Sequence, residues 1–116
     1  MTSKQEIEIF LKELKEKIKV FGIVFLDNRR KNQETLLDLE ISPDQRKEII
    51  QKLIANDYYE GPITETMREI PSMWIFGKIV KQKEIYIKIS MGMANNSAVC
   101  ISFHTAKHPL EYPFKN

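Results

Sequence analysis

A single cysteine among 116 residues excludes an internal disulfide, so the fold must be held by packing and hydrogen bonding alone. Long apolar runs are also missing. The longest, Val20 to Leu26, contains Gly22 and reaches about a third of the roughly 20 residues a membrane-spanning helix requires. The start, MTSKQEIE, lacks the basic and then apolar order of a secretion signal. Together these absences predict a cytoplasmic protein with no membrane partner. No glycine-rich phosphate loop, nucleophile elbow or paired-cysteine metal motif occurs, so no cofactor and no metal site is expected. Net charge is scarce too, at +2, but it is unevenly placed: residues 72–116 carry +4 and residues 1–71 carry −2. A basic second half is compatible with a polyanionic ligand such as RNA, although six lysines on 45 residues are also ordinary solvated surface.

The chain is long enough for one domain that buries about two thirds of its unfolded surface. Its first half reads as helical. Ser3 to Glu6 fits a capping box, after which Ile7, Phe10, Leu11, Leu14 and Ile18 recur at helical spacing to about Lys19. Val20 to Leu26 reads as a short strand at the edge of a sheet. Asp27 to Asn32 is a polar loop whose consecutive cations Arg29, Arg30 and Lys31 are best explained as solvated, with phosphate contact as the alternative. Gln33 to Leu39 suggests a short helical turn. Ser42-Pro43-Asp44-Gln45 is a sharper start signal, and a helix runs from it to about Ala55. Tyr58 and Tyr59 sit at the helix exit, one to pack on the core and the other available to a site. Gly61-Pro62 ends regular structure there, and Ile63 to Pro71 reads as loop.

The second half reads as sheet. Residues 73–80, 84–90 and 98–104 are three antiparallel strands rich in Ile, Val, Phe, Tyr and Trp. Alternation puts Ile85, Ile87 and Ile89 on one face and Tyr86 and Lys88 on the other. In the last strand Val99, Ile101 and Phe103 fall on the apolar side, with Cys100, Ser102 and His104 opposite. A three-residue turn, Lys81-Gln82-Lys83, brings Lys78 opposite Tyr86 and Phe76 opposite Lys88, and groups Ile75 and Ile79 with the middle-strand isoleucines. The predicted fold is α+β, a single domain over 1–116: helices mainly in 1–60, an antiparallel sheet of three to four strands mainly in 72–104, and two main helices on one face. Pro109 and Pro113 forbid a regular ending, and Leu110, Tyr112 and Phe114 strap the tail to the body.

The other face would carry Lys78, Tyr86, Lys88, Ser102 and His104. Cys100, His104 and His108 have a ligand-like spacing, but residues four apart on a strand lie about 13 Å apart. Zinc ligands lie about 2.0 to 2.3 Å from the metal, so Cys100 and His104 cannot share one unless the strand breaks. Histidine, tyrosine and lysines together suit RNA cleavage without a metal. That reaction needs a base for the ribose 2′-OH, an acid for the departing 5′ oxygen and cations for the phosphorane. Histidine suits either proton role near neutrality. Trp74 offers a π-face to an unpaired base, with burial in the core as its competing role. A half-exposed strand that merely alternates aromatic and lysine side chains is the plain alternative.

Asp57-Tyr58-Tyr59-Glu60-Gly61-Pro62, Met73-Trp74-Ile75-Phe76-Gly77-Lys78, Ile85-Tyr86-Ile87-Lys88-Ile89 and Val99-Cys100-Ile101-Ser102-Phe103-His104 occur in an order that resembles the motility quorum-sensing regulator toxins of bacterial type II toxin-antitoxin systems. The match spans roughly residues 36–114. The resemblance implies a RelE-like fold and cleavage of messenger RNA, with the ribosome as a further candidate partner. It also implies neutralisation by a cognate antitoxin that has a zinc-binding part and a helix-turn-helix DNA-binding part. Tyr86 stands where these toxins have a functionally important tyrosine, and Lys88 keeps the spacing after it. His104 falls where the best-known members carry lysine, Glu60 replaces a catalytic lysine and Ile75 replaces a glutamine. Taken together, the candidate catalytic residues are His104, Tyr86 and Lys88, and the candidate RNA contacts are Lys78, Lys107, Tyr59 and Trp74. A non-catalytic module binding RNA or protein on the same scaffold is the alternative, and an unrelated small-molecule enzyme a third.

Overall fold

A computed structural model describes residues 2–27, 30–64 and 71–115. Its order is α1 (Lys4–Phe21), β1 (Ile23–Phe25), α2 (Arg30–Leu39), α3 (Pro43–Gln51), a single 3₁₀ turn (Ala55–Asp57), then β2 (Tyr58–Ile63), β3 (Met73–Val80), β4 (Lys83–Ser90) and β5 (Ala98–Thr105). The architecture is α+β. The five strands form one mixed sheet in the order β1-β5-β4-β3-β2, so the sheet is larger than the three to four strands read from sequence, and three helices replace two. No helix among the described residues is long and apolar enough to cross a membrane.

Helix α1 begins as its sequence dictates. Ser3 Oγ accepts the Glu6 N–H at 3.1 Å and Glu6 Oε1 accepts the Ser3 N–H at 3.1 Å, which satisfies two donors that helix geometry leaves without partners. Its stripe of Ile7, Phe10, Leu11, Leu14 and Ile18 is buried against Phe76, Ile85, Ile87, Ile89 and Phe103. Gly22, at φ +80°, turns the chain directly from helix into β1, a conformation that L side chains rarely adopt. The short strand expected at the sheet edge is present, although Val20 and Phe21 remain helical. It runs parallel to β5 with Val24 beside Val99.

Beyond β1, the edge of β5 is covered by side chains of α2. Asn32 is almost wholly buried; its amide donates to Ile101 O at 3.2 Å while its Oδ1 accepts the Phe103 N–H at 2.9 Å. Thr35 Oγ1 accepts the Thr105 N–H at 3.2 Å. One asparagine thus takes the place of a neighbouring strand for two backbone groups that would otherwise be unpaired.

Three expectations are corrected. The β3–β4 turn has two residues, Lys81 and Gln82, at φ 50° and 71°, so Val80 pairs with Lys83 and Lys78 with Ile85. Lys78 therefore leaves the face it was expected to share with Tyr86. Phe76 and Trp74 turn to the helix side instead, and Ile75 turns to the open side. In β5 a register shift after Lys88–Ser102 turns Cys100 into the core and Val99 to the open face. Burial pushes the Cys100 thiol up to about 12, and Sγ donates to Ser102 O at 3.3 Å. Finally, Tyr58 to Ile63 is a strand rather than a helix exit and loop. Tyr58 is its core residue, and Ile63 already pairs with Met73. Of the loop expected over 63–71, residues 65–70 lie outside those described, as do Asn28 and Arg29.

The tail crosses the open face at Gly77. A Cβ placed there would lie 2.2 Å from the Tyr112 hydroxyl oxygen and 2.8 Å from Leu110 Cδ1, so only glycine permits this approach. Glu84 fixes the tail, accepting the Leu110 N–H at 3.0 Å and the Tyr112 hydroxyl at 2.6 Å. Burial, and then this bond to a carboxylate, hold the Tyr112 hydroxyl protonated to higher pH than an ordinary tyrosine. Gly77→Ala is expected to lift the strap and cost about 1–3 kcal/mol. Faster proteolytic clipping within 106–115 and a lower melting temperature would show it; an unchanged clipping rate would mean that the tail is not held there.

Candidate functional site

On the open face the register builds cross-strand rows. One is Gly77, Tyr86 and His104, and the next is Ile75, Lys88 and Ser102. The second and third members of each row form the floor of a cleft of about 270 Å³, whose lining also includes Lys31, Lys107, His108 and Leu110. Among the described residues, the lining contains three lysines, two histidines and no carboxylate. Such a composition favours an anion.

The rings of Tyr86 and His104 stack with centroids 5.1 Å apart and planes inclined by 12°. His104 Nδ1 lies 3.1 Å from Thr105 O. Because a carbonyl only accepts, the neutral ring in this arrangement carries its proton on Nδ1, and Nε2 is then the nitrogen able to accept another. The tyrosine face limits rotation of the imidazole, and the backbone carbonyl selects its tautomer. A histidine held in this way can act as a general base; once protonated it can act as an acid.

Lys31 and His108 join this site from distant segments. Lys31 precedes Asn32, and the paired hydrogen bonds of Asn32 dock the start of α2 on β5, which carries Lys31 to the cleft. Sequence spacing gave no signal for this, since Lys31 read as one of three loop cations. His108 follows the end of β5, and Leu110, anchored through Glu84, closes that wall. Among the described residues no group of three or more His, Cys, Asp and Glu side chains is placed to hold a metal.

The remaining expected RNA contacts lie elsewhere. Lys78 is on the helix side, with Nζ 3.2 Å from Asp57 Oδ2. Its charge is matched within the fold, beside Lys15, whose pKa is lowered chiefly by burial and also by Lys78. Trp74 stacks on Phe10 at 4.4 Å and 12° and packs against the core. Tyr59 lines a separate hollow with Glu60, Glu111, Tyr112 and Pro113. Lys107 alone of these four reaches the cleft. Glu60 is exposed in the Tyr59 hollow and Ile75 is buried, and neither lines the cleft.

No family model, curated protein or solved structure matches this chain.

Proposed function

We propose that this chain is an endoribonuclease that cleaves messenger RNA without a metal, a toxin of the motility quorum-sensing regulator type with a RelE-like fold, inhibiting translation until a cognate DNA-binding antitoxin neutralises it. The observation that carries this reading is the meeting of Tyr86, Lys88, His104 and Lys107 in one cleft. In the proposed reaction, His104 Nε2 takes the proton of a ribose 2′-OH, whose oxygen attacks the adjacent phosphorus. The bond from phosphorus to the 5′ oxygen breaks, and that oxygen receives a proton from His108 as the acid. A 2′,3′-cyclic phosphate and a 5′-hydroxyl end result. Lys31, Lys88 and Lys107 stabilise the charge on the phosphorane, and Tyr86 orients the imidazole.

A defined messenger RNA incubated with purified protein in EDTA, with and without ribosomes, tests the reading. Discrete cuts are expected in at least one of the two conditions. Tight RNA binding with no cut in either would favour the second reading, a non-catalytic RNA-binding module. The placement of Glu60 and Ile75 favours that alternative, because the two positions at which the resemblance implies a catalytic lysine and a glutamine contribute nothing to the cleft.

A further inference from the structure

Beside the cleft, on the same face, lies an apolar groove of about 650 Å³ whose walls include Val24, Leu26, Met93, Val99 and Ile101. The β5 register shift creates it. By turning Val99 to the open face next to Val24 of β1, the bulge builds an apolar floor where simple alternation would have put Cys100. Ser90 joins the two concavities: it lines the groove, and along β4 it is two residues, about 7 Å, beyond Lys88 in the cleft. Val24 and Met93 are 49% and 58% exposed, a large apolar surface to leave beside a cationic site.

We infer that this groove is a base-binding subsite, which receives the unstacked base of the nucleotide flanking the phosphate held in the cleft, with adenine preferred. The inference rests on the RNA-binding part of the proposed function and adds to it a source of sequence selectivity. An apolar peptide side chain would fit the groove alone, but the neighbouring Lys88 and Lys107 call for an anion attached to the apolar group. A nucleotide supplies both. Unpaired bases are held by apolar and stacking contacts on their faces and read at their edges. Asn96, exposed at the rim, provides one amide donor and one acceptor, the pair that matches the N6 and N7 edge of adenine.

Fluorescence anisotropy with single-stranded RNA pentamers, each carrying one abasic position, tests this. Removing the base at one position is expected to weaken binding about tenfold, with little effect at the others. Met93→Glu should abolish that dependence. Asn96→Ala should remove only the preference for adenine, also about tenfold. Both positions are exposed, and unchanged melting curves would confirm that the variants fold. If no abasic position matters while binding still weakens with salt and in Lys88→Ala, the groove holds no base, but the RNA-binding reading of the cleft survives. If no pentamer binds even at low salt, both fall. Methyl signals of Val24, Val99 and Ile101 that shift with an apolar peptide but with no pentamer would identify a protein-docking groove and overturn the assignment.

Discussion

His104→Ala is expected to slow RNA cleavage by about 10²- to 10⁴-fold, the usual contribution of a positioned general base, while leaving RNA affinity within a few-fold of the wild type. The split follows from the cleft's construction. On the proposed function, affinity would come mainly from Lys31, Lys88 and Lys107, which the substitution leaves in place, whereas proton transfer would depend on the imidazole, whose Nδ1 is tied to Thr105 O and whose face lies on Tyr86. His104→Gln is the sharper control, since it retains polarity and much of the volume but cannot accept and return a proton. Tyr86→Phe keeps the stacked ring, so a smaller loss is expected from it than from either histidine variant. Single-turnover rates at saturating protein separate chemistry from binding. Equal losses of rate and affinity in His104→Gln would assign the histidine to binding rather than catalysis.

The second large effect concerns stability. Arg46 of α3 is 1% exposed, and its guanidinium donates to Asp27 Oδ1 at 2.6 Å and Oδ2 at 3.0 Å, donates to Pro43 O at 3.1 Å, and lies 3.8 Å above the Phe25 ring. This arrangement ties α3 to the end of β1. Asp27→Ala leaves a buried cation without its counter-ion. A cost of about 3 kcal/mol is expected, at the low end for a broken buried pair because the Asp27 side chain is 45% exposed to water. Arg46→Met fills much of the same volume without a charge and should cost less. The Arg46 guanidinium, first through its hydrogen bonds, holds the Asp27 carboxyl below the usual carboxylate range. Between the folded and unfolded pKa values the unfolded chain binds the extra proton, so stability rises with pH there. The contribution is complete above about pH 4, the ordinary aspartate value, and disappears as pH falls through the lower folded value. The stability difference between wild type and Asp27→Ala, measured by urea unfolding, should therefore be constant from pH 5 to 8 and shrink below about pH 4. A difference that does not change with acidification would remove the ion pair from the list of stabilising contacts.

Much of the site was legible because strand alternation is robust. Tyr86 and Lys88, two apart on β4, had to share a face, and Ser102 and His104 had to share one on β5. The opposite parity of the isoleucines fixed which face that was. Alternation failed where the backbone broke period two. Nothing in the side chains of Lys81 and Gln82 announces a two-residue turn at positive φ, a role usually left to Gly, Asn or Asp, and Lys78 changed faces as a result. The bulge that exchanges Val99 and Cys100 leaves no mark in a run as uniformly apolar as Ala98 to Ile101. Strand β2 was hidden by Gly61-Pro62, which normally punctuates a loop; at a sheet edge it interrupts the ladder without ending it, and the register shifts on both sides of Glu60 accommodate it. Lys31 and Asn32 could not have been placed by any local pattern. Their position depends on a helix that caps the edge of a strand some 70 residues later in the chain.

The most direct measurement of the proposed chemistry uses two RNA oligonucleotides of one sequence, one all-ribose and one with a single 2′-deoxy sugar immediately 5′ of the mapped cut, each incubated with wild-type protein in EDTA. A 2′-OH that attacks under the control of His104 gives a 2′,3′-cyclic phosphate from the first and no cut at that position in the second. Equal cleavage of both, or a 3′-hydroxyl and 5′-phosphate product, would show that the nucleophile is water rather than the ribose and would contradict the cleft's assignment as a transesterification site.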